Sequence, residues 1–261
     1  MTCCELFHQP AGDNDVQSLL FQEVPGVVER LGGDCLDQGG DMRSLSTEVR
    51  KRLILLSPLG IIAAGYVTAR LAGVVFGIWV WIPKSLLVWG LFAFMIAWGG
   101  GREAIRRWLR APQGAWGWSV LALVVGLIPL RVFILNWRLF PSAWIVLAWL
   151  LFAAINPLLE EGYWRGLLLD NATSWPGWLG VLYSSFFFAA NHPLTVGVYS
   201  IANRHPAVLI STFIMGLAWG AAYHKTDSLR WTIVGHLLTD LLNLSILAFL
   251  NIVVPPHWPG H

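Results

Sequence analysis

Glu160-Glu161-x-x-x-Arg165, Phe188-x-x-x-His192 and His236-x-x-x-Asp240 follow one another inside segments apolar enough to sit in a bilayer. Beyond residue 52 the chain has six acidic side chains, and three of them, Glu160, Glu161 and Asp240, belong to these patterns. A carboxylate near the centre of a membrane helix costs roughly 3 kcal/mol on insertion scales, so its retention there points to a role. Two carboxylates and two imidazoles able to meet within a membrane can activate a water molecule. Hydrolysis inside the bilayer is the chemistry this set suits.

Helical spacing sorts the partners. Residues four apart share a face, so Glu161 and Arg165 can pair and neutralise one another. Glu160 points about 100° away and stays free, with Asn156 one turn before it on the same face. Pro157 between them can open the helix and admit water. Phe188 shares a face with His192, and Ser184 lies one turn earlier. His236, Asp240 and Asn243 form a second polar stripe in the otherwise apolar stretch 233–250. Each pattern alone has a plainer explanation. A Glu-Glu-x-x-x-Arg run is often a solvated helix end, a lone His on an apolar helix is most often a packing residue, and small polar groups commonly bond helix to helix in membranes. His205, His224, His257 and His261 fall in loops or the tail and are set aside.

The elements that must position these side chains are membrane helices. Hydrophobic residues make up 56% of the 261 and charged residues 12%, where a soluble domain has about 25% charged. Sixteen Trp residues fit a headgroup belt. Apolar runs at 53–81, 84–100, 119–137, 142–160, 177–196, 206–223 and 229–254 each approach the roughly 20 residues a crossing needs. Alternating barrel strands are absent, so the fold class is all-α, a polytopic membrane bundle of about seven to eight helices. The eighth would be a broken or re-entrant segment around 160–176, and Arg70 and Arg131 blur two boundaries. Residues 1–52 hold nine of the fifteen acids and read as a polar, loosely ordered cytosolic extension without a secretory signal. The bundle is assigned to 53–254 and a short tail to 255–261. Cys3, Cys4 and Cys35 match no zinc or redox spacing and read as free thiols.

Basic residues set an orientation. Arg50, Lys51 and Arg52 precede the first run, while Arg102, Arg106, Arg107 and Arg110 follow the second. A two-span hairpin puts both clusters on one side, the cytoplasmic side by the positive-inside rule. Continuing the count brings 161–176 and 224–230 to that side too. At 1.5 Å per residue, Glu160 then lies roughly 15 Å before Asp170, His192 roughly 20 Å after Gly177 and His236 roughly 10 Å after Leu229. All three can reach one layer. The net charge of +2 is uninformative about nucleic acid, but the Arg residues flank apolar segments rather than forming one basic face, and no nucleic-acid partner is expected.

The strings EEGYWRGLLL, SSFFFAANH, MGLAWGAAYHKTDSLRWTIVGH and HLLTDLLN occur in that order over about residues 140–250. In order and context they resemble the CPBP family, the CAAX prenyl endopeptidases and bacteriocin-processing or immunity membrane proteins also called the Abi family. The resemblance implies an intramembrane endopeptidase with Glu160 as the base that activates water and His192 assisting it. His236 and Asp240 would stabilise the oxyanion, and Glu161–Arg165 would hold the site's shape, with Phe188 and Asn243 supporting. Asp240 is the acidic option at a position where the family also uses Asn. An ionised carboxylate cannot donate to an oxyanion, so Asp240 must either stay protonated or orient His236. The protonated donor is the expectation.

Zinc is the competing mechanism, with Glu160, His192 and His236 as ligands. The imidazoles come from separate helices without a His-Glu-x-x-His element, so a metal-free glutamate mechanism with no cofactor is expected. The substrate would be a membrane-embedded or lipidated peptide, and the location a bacterial inner membrane with the N-terminus cytoplasmic. A non-catalytic scaffold or immunity protein with the same fold is the main alternative. A proton-coupled transporter fits less well, because no internal repeat is present.

Overall fold

Apolar length and a glycine turn make the first structural unit. The computed structural model describes residues 40–253, with side chains from residue 47 onward. Most of the 1–52 extension with its three Cys, and the 255–261 tail, lie outside the described residues. Helix α1 spans Gly40–Phe76, so it begins ahead of the first apolar run. A 3₁₀ turn at Gly77–Val80 follows, then α2 at Trp81–Gly99. Gly77 has φ +52°, a left-handed conformation that costs a Cβ-bearing residue about 1–2 kcal/mol. Without that turn the 53 residues of Thr47–Gly99 would reach about 80 Å, far beyond a bilayer. Instead Gly73 lies against Val80, Gly65 against Val88 and Gly99 against Ile54, a constant antiparallel register.

Shorter helices complete the bundle: α3 (Gly101–Trp108), α4 (Gly117–Gly126), α5 (Leu130–Asn136) and α6 (Ala143–Glu161). Helix α6 continues without a break through a π-helical stretch, Gly162–Leu167, into α7 (Leu168–Asn171). Next come α8 (Gly177–Thr195), α9 (Pro206–Thr226), α10 (Arg230–Leu242) and α11 (Ser245–Phe249). No strand occurs among the described residues. Within the described residues each of the seven apolar runs is mainly helical, with turns inside 119–137 and inside the last run. Four helical stretches are long and apolar enough to cross a membrane, Thr47–Gly99, Gly117–Leu139, Ala143–Asn171 and Pro206–Thr226, and the first holds two antiparallel legs. The figure of seven to eight spans is therefore not reached by length and apolarity alone. The break expected around 160–176 is instead helix to Asn171 and a short loop before Gly177.

Helix α10 packs against both α4 and α6, and α9 packs against both α8 and α4. The α4–α10 contact is backbone to backbone: a Cβ on Gly235 would collide with the Ala122 carbonyl, and one on Gly126 with Gly235. Small residues permit this approach, as in other membrane helix pairs. Outward-facing side chains are apolar, with Val74 87%, Val75 78%, Leu71 67%, Leu135 67% and Phe94 61% exposed. Exposed indoles sit near helix ends in two bands, Trp98, Trp116, Trp178 and Trp231 at one end and Trp79, Trp137 and Trp144 at the other. An apolar girdle between two Trp bands is the surface of an integral membrane protein.

One end of the bundle gathers the basic loops. Asp170 receives bonds from Arg107, from Trp108 Nε1 (2.8 Å) and from Tyr223 Oη (2.6 Å). Lys51 Nζ donates to Ser174 Oγ at 3.0 Å, Ser228 Oγ to the Arg110 carbonyl at 2.7 Å, and Arg230 Nε to the Leu109 carbonyl at 2.7 Å. The segments expected to share one side are thus tied together.

Candidate active site

Three helices deliver the site. Helix α6 brings Asn156, Glu160 and Glu161, α8 brings Phe188 and His192, and α10 brings His236 and Asp240. Pro157 removes one backbone donor just before the carboxylates, and the π-helical turn follows directly after them. Such π turns recur at functional sites because they re-aim side chains within a continuous helix. Here Tyr163, Trp164 and Arg165 are consecutive and all fully buried. Gly162 and Gly166 make room for this, since a Cβ at either would strike Ile96 or the Trp108 ring.

Glu161 is the anchor. Its Oε1 accepts from Arg165 Nη1 at 2.9 Å, the pairing expected from the spacing, and also from His236 Nδ1 at 2.8 Å. The Arg165 guanidinium lies 4.0 Å from the centre of the Phe188 ring, which gives Phe188 its place in the motif. Trp219 stacks on the His236 ring at 4.8 Å and 17°. With Nδ1 committed to Glu161, His236 turns Nε2 toward Glu160 Oε2 at 3.7 Å and Asp240 Oδ2 at 3.8 Å. Glu160 Oε2 is buried and has no hydrogen-bond partner.

Asn156 orients the carboxyl of Asp240. Trp89 Nε1 donates to Asn156 Oδ1 at 2.9 Å, and an indole N–H can only donate. The Asn156 amide is thereby oriented, and its Nδ2 donates to Asp240 Oδ2 at 3.0 Å. That oxygen is an acceptor, and a proton on a neutral carboxyl would sit on Oδ1. Ser245 Oγ lies 2.9 Å from the Asp240 carbonyl and 2.8 Å from Asn243 Oδ1, two acceptors that share its one proton. This geometry is compatible with both roles, the neutral donor with its proton on Oδ1 and the ionised group that orients His236.

His192 lines the same cavity as Glu160 and His236. Its Nδ1 is 2.9 Å from the Phe188 carbonyl, which can only accept, so Nδ1 carries the proton and a neutral ring keeps its lone pair on Nε2. The cavity is about 370 Å³, within the range of ligand pockets. Beyond Lys84, Asn156, Asp240 and Asn243 it continues to Val132, Ala207 and Val208, toward the end opposite the basic loops. Among the described residues no three His, Cys, Asp or Glu side chains are grouped as a metal site would group them.

Several partners were invisible to spacing: the Glu161–His236 bond spans 75 residues, and Trp89, Lys84 and Trp219 come from other segments. A signal for Lys84 existed, a lone cation opening the run 84–100, but it reads as a span boundary.

Residues 141–242 match the family model of type II CAAX prenyl endopeptidase Rce1-like proteins. Neither the curated proteins nor the solved structures give a significant match.

Proposed function

We propose that this chain, which through residues 141–242 belongs to the CPBP family of Rce1-like prenyl endopeptidases, is an intramembrane endopeptidase acting on a membrane-associated or lipidated peptide. One observation carries the reading most: the buried Glu160 Oε2 has no protein donor and faces a cavity beside His236. A scaffold has no physical need to bury an unsatisfied carboxylate oxygen, which costs about 1–3 kcal/mol or more for a charged group. A hydrolase does, because that lone pair receives the proton of the attacking water.

In the reaction, Glu160 takes a proton from water as the water oxygen attacks the scissile carbonyl. The carbonyl π pair moves onto oxygen and gives a tetrahedral oxyanion. His236 meets that charge through Nε2–H when protonated, with Glu161 bonded to Nδ1 as its counter-ion. Asp240, held as an acceptor by Asn156, orients the imidazole. Collapse of the intermediate breaks the C–N bond, and the proton held by Glu160 passes to the leaving amine. His192, with its free Nε2, assists in holding the water.

The test is cleavage by purified protein in vesicles, using farnesylated peptides as substrates. Glu160→Gln and His236→Ala are expected to lower turnover by on the order of 10²–10⁴-fold, with unchanged melting profiles. Strong chelation is expected to leave the parent active. A fully active Glu160→Gln variant would falsify the base assignment, and activity lost with zinc and restored by it would replace the glutamate mechanism by a metal one.

A further inference from the structure

Lys84 is the one catalytic-cavity cation contributed from outside the family-matched segment. It lies in the first turn of α2, is 5% exposed and lines the cavity with Glu160, Asn156 and His192. Its ammonium makes no hydrogen bond and no ion pair within 4 Å among the described residues. Ser85 beside it is also 5% exposed, lines the same wall and makes no side-chain hydrogen bond there. An ammonium has three donors and is strongly hydrated, and with only the more distant charge of Glu160 acting on it, its donors are left to the cavity. Much of the surrounding wall is apolar, including Val88 and Phe152.

We propose that Lys84, with the Ser85 hydroxyl, is the binding site for a carboxylate of the peptide substrate. The inference rests on the endopeptidase reading above and names a recognition element for it. Position supports it. Helices α2 and α6 run parallel, since Trp89 meets Phe152 and Asn156 while Ile96 meets Gly162. Lys84 stands five residues before Trp89, and Glu160 four residues after Asn156. Their backbones are therefore offset by about 13 Å along the bundle. A lysine side chain reaching along the cavity shortens that gap. An extended peptide rises about 3.3 Å per residue, so a carboxylate on Lys84 belongs to a group only a few residues from the scissile bond. Two sources share that chemistry, the peptide's own C-terminus and an acidic side chain close to the cleavage point.

Binding to the inactive Glu160→Gln protein in vesicles separates this proposal from catalysis. The probes are farnesylated peptides alike except for a C-terminal acid or amide, and a second pair with Glu or Gln near the expected cleavage point. The parent Glu160→Gln protein is expected to bind one acid at least tenfold more tightly than its neutral counterpart. Adding Lys84→Met should bring that ratio to about one, and Lys84→Arg should keep it. Preference for the C-terminal acid identifies the terminus as the source, and preference for Glu identifies a side chain. No preference in the parent, or a preference that survives Lys84→Met in a protein with an unchanged melting profile, overturns the proposal. A uniform loss on acid and neutral peptides alike also overturns it, because Lys84 would then only support the shape of the cavity. If peptides bind with the expected preference but active protein never cleaves them, the endopeptidase reading falls while carboxylate recognition stands.

Discussion

At the scale of single residues, Asn156 shows how one hydrogen bond orients a carboxyl group. Its amide is oriented by Trp89, and that orientation makes Asp240 Oδ2 an acceptor. Replacing Asn156 by Leu leaves both partners short of a bond in a buried site, which costs about 1–3 kcal/mol. The expected result is a lower unfolding midpoint in detergent together with at least a tenfold loss of turnover. Trp89→Phe keeps the ring but frees the amide to rotate, so its effect on turnover should be smaller and in the same direction. Unchanged kinetics in both variants would show that the orientation of Asp240 has no bearing on the reaction.

At the scale of elements, the site depends on how closely α10 approaches α4. Gly235 precedes His236 and touches the Ala122 carbonyl, while Trp219 Nε1 donates to that same carbonyl at 2.9 Å. A methyl group at residue 235 must push the two backbones apart, an overpacking cost of about 1–3 kcal/mol. Gly235→Ala should therefore melt earlier and turn over more slowly, because α10 carries His236 away from Glu161. Gly60 offers the contrast: a Cβ there meets nothing within 4 Å. Gly60→Ala should be neutral or up to about 1 kcal/mol stabilising through helix propensity alone. Equal melting of the two variants would remove close backbone packing as the reason for glycine at 235.

For the whole molecule, the two ends differ in charge. The end that ties Lys51 to Ser174 and Arg107 to Asp170 also holds Arg102, Arg106, Arg110 and Arg230. From the positive-inside rule we propose that this end faces the cytoplasm and that the chain's N-terminus lies on the same side. Cys3, Cys4 and Cys35 should then escape a membrane-impermeant thiol reagent in intact cells and react after lysis. In a chain lacking these three thiols, Arg138→Cys, near the opposite end, should react in intact cells. The reverse pattern would invert the orientation.

The sequence alone determined that this is a helical membrane protein, because twenty-residue apolar runs with basic flanks leave few other solutions. It also determined the Glu161–Arg165 pair, since residues four apart on one helix must be neighbours, and the candidate set of Glu160, His192, His236 and Asp240. Tertiary structure decided what these groups do to one another. The Glu161–His236 bond, the Trp89–Asn156–Asp240 chain and the place of Lys84 in the cavity join segments tens of residues apart, and no local periodicity encodes such distances. It also decided that residues 162–167 widen into a π turn rather than re-entering the membrane. That outcome depends on the space Gly162 and Gly166 leave for Ile96 and Trp108, side chains supplied by other helices.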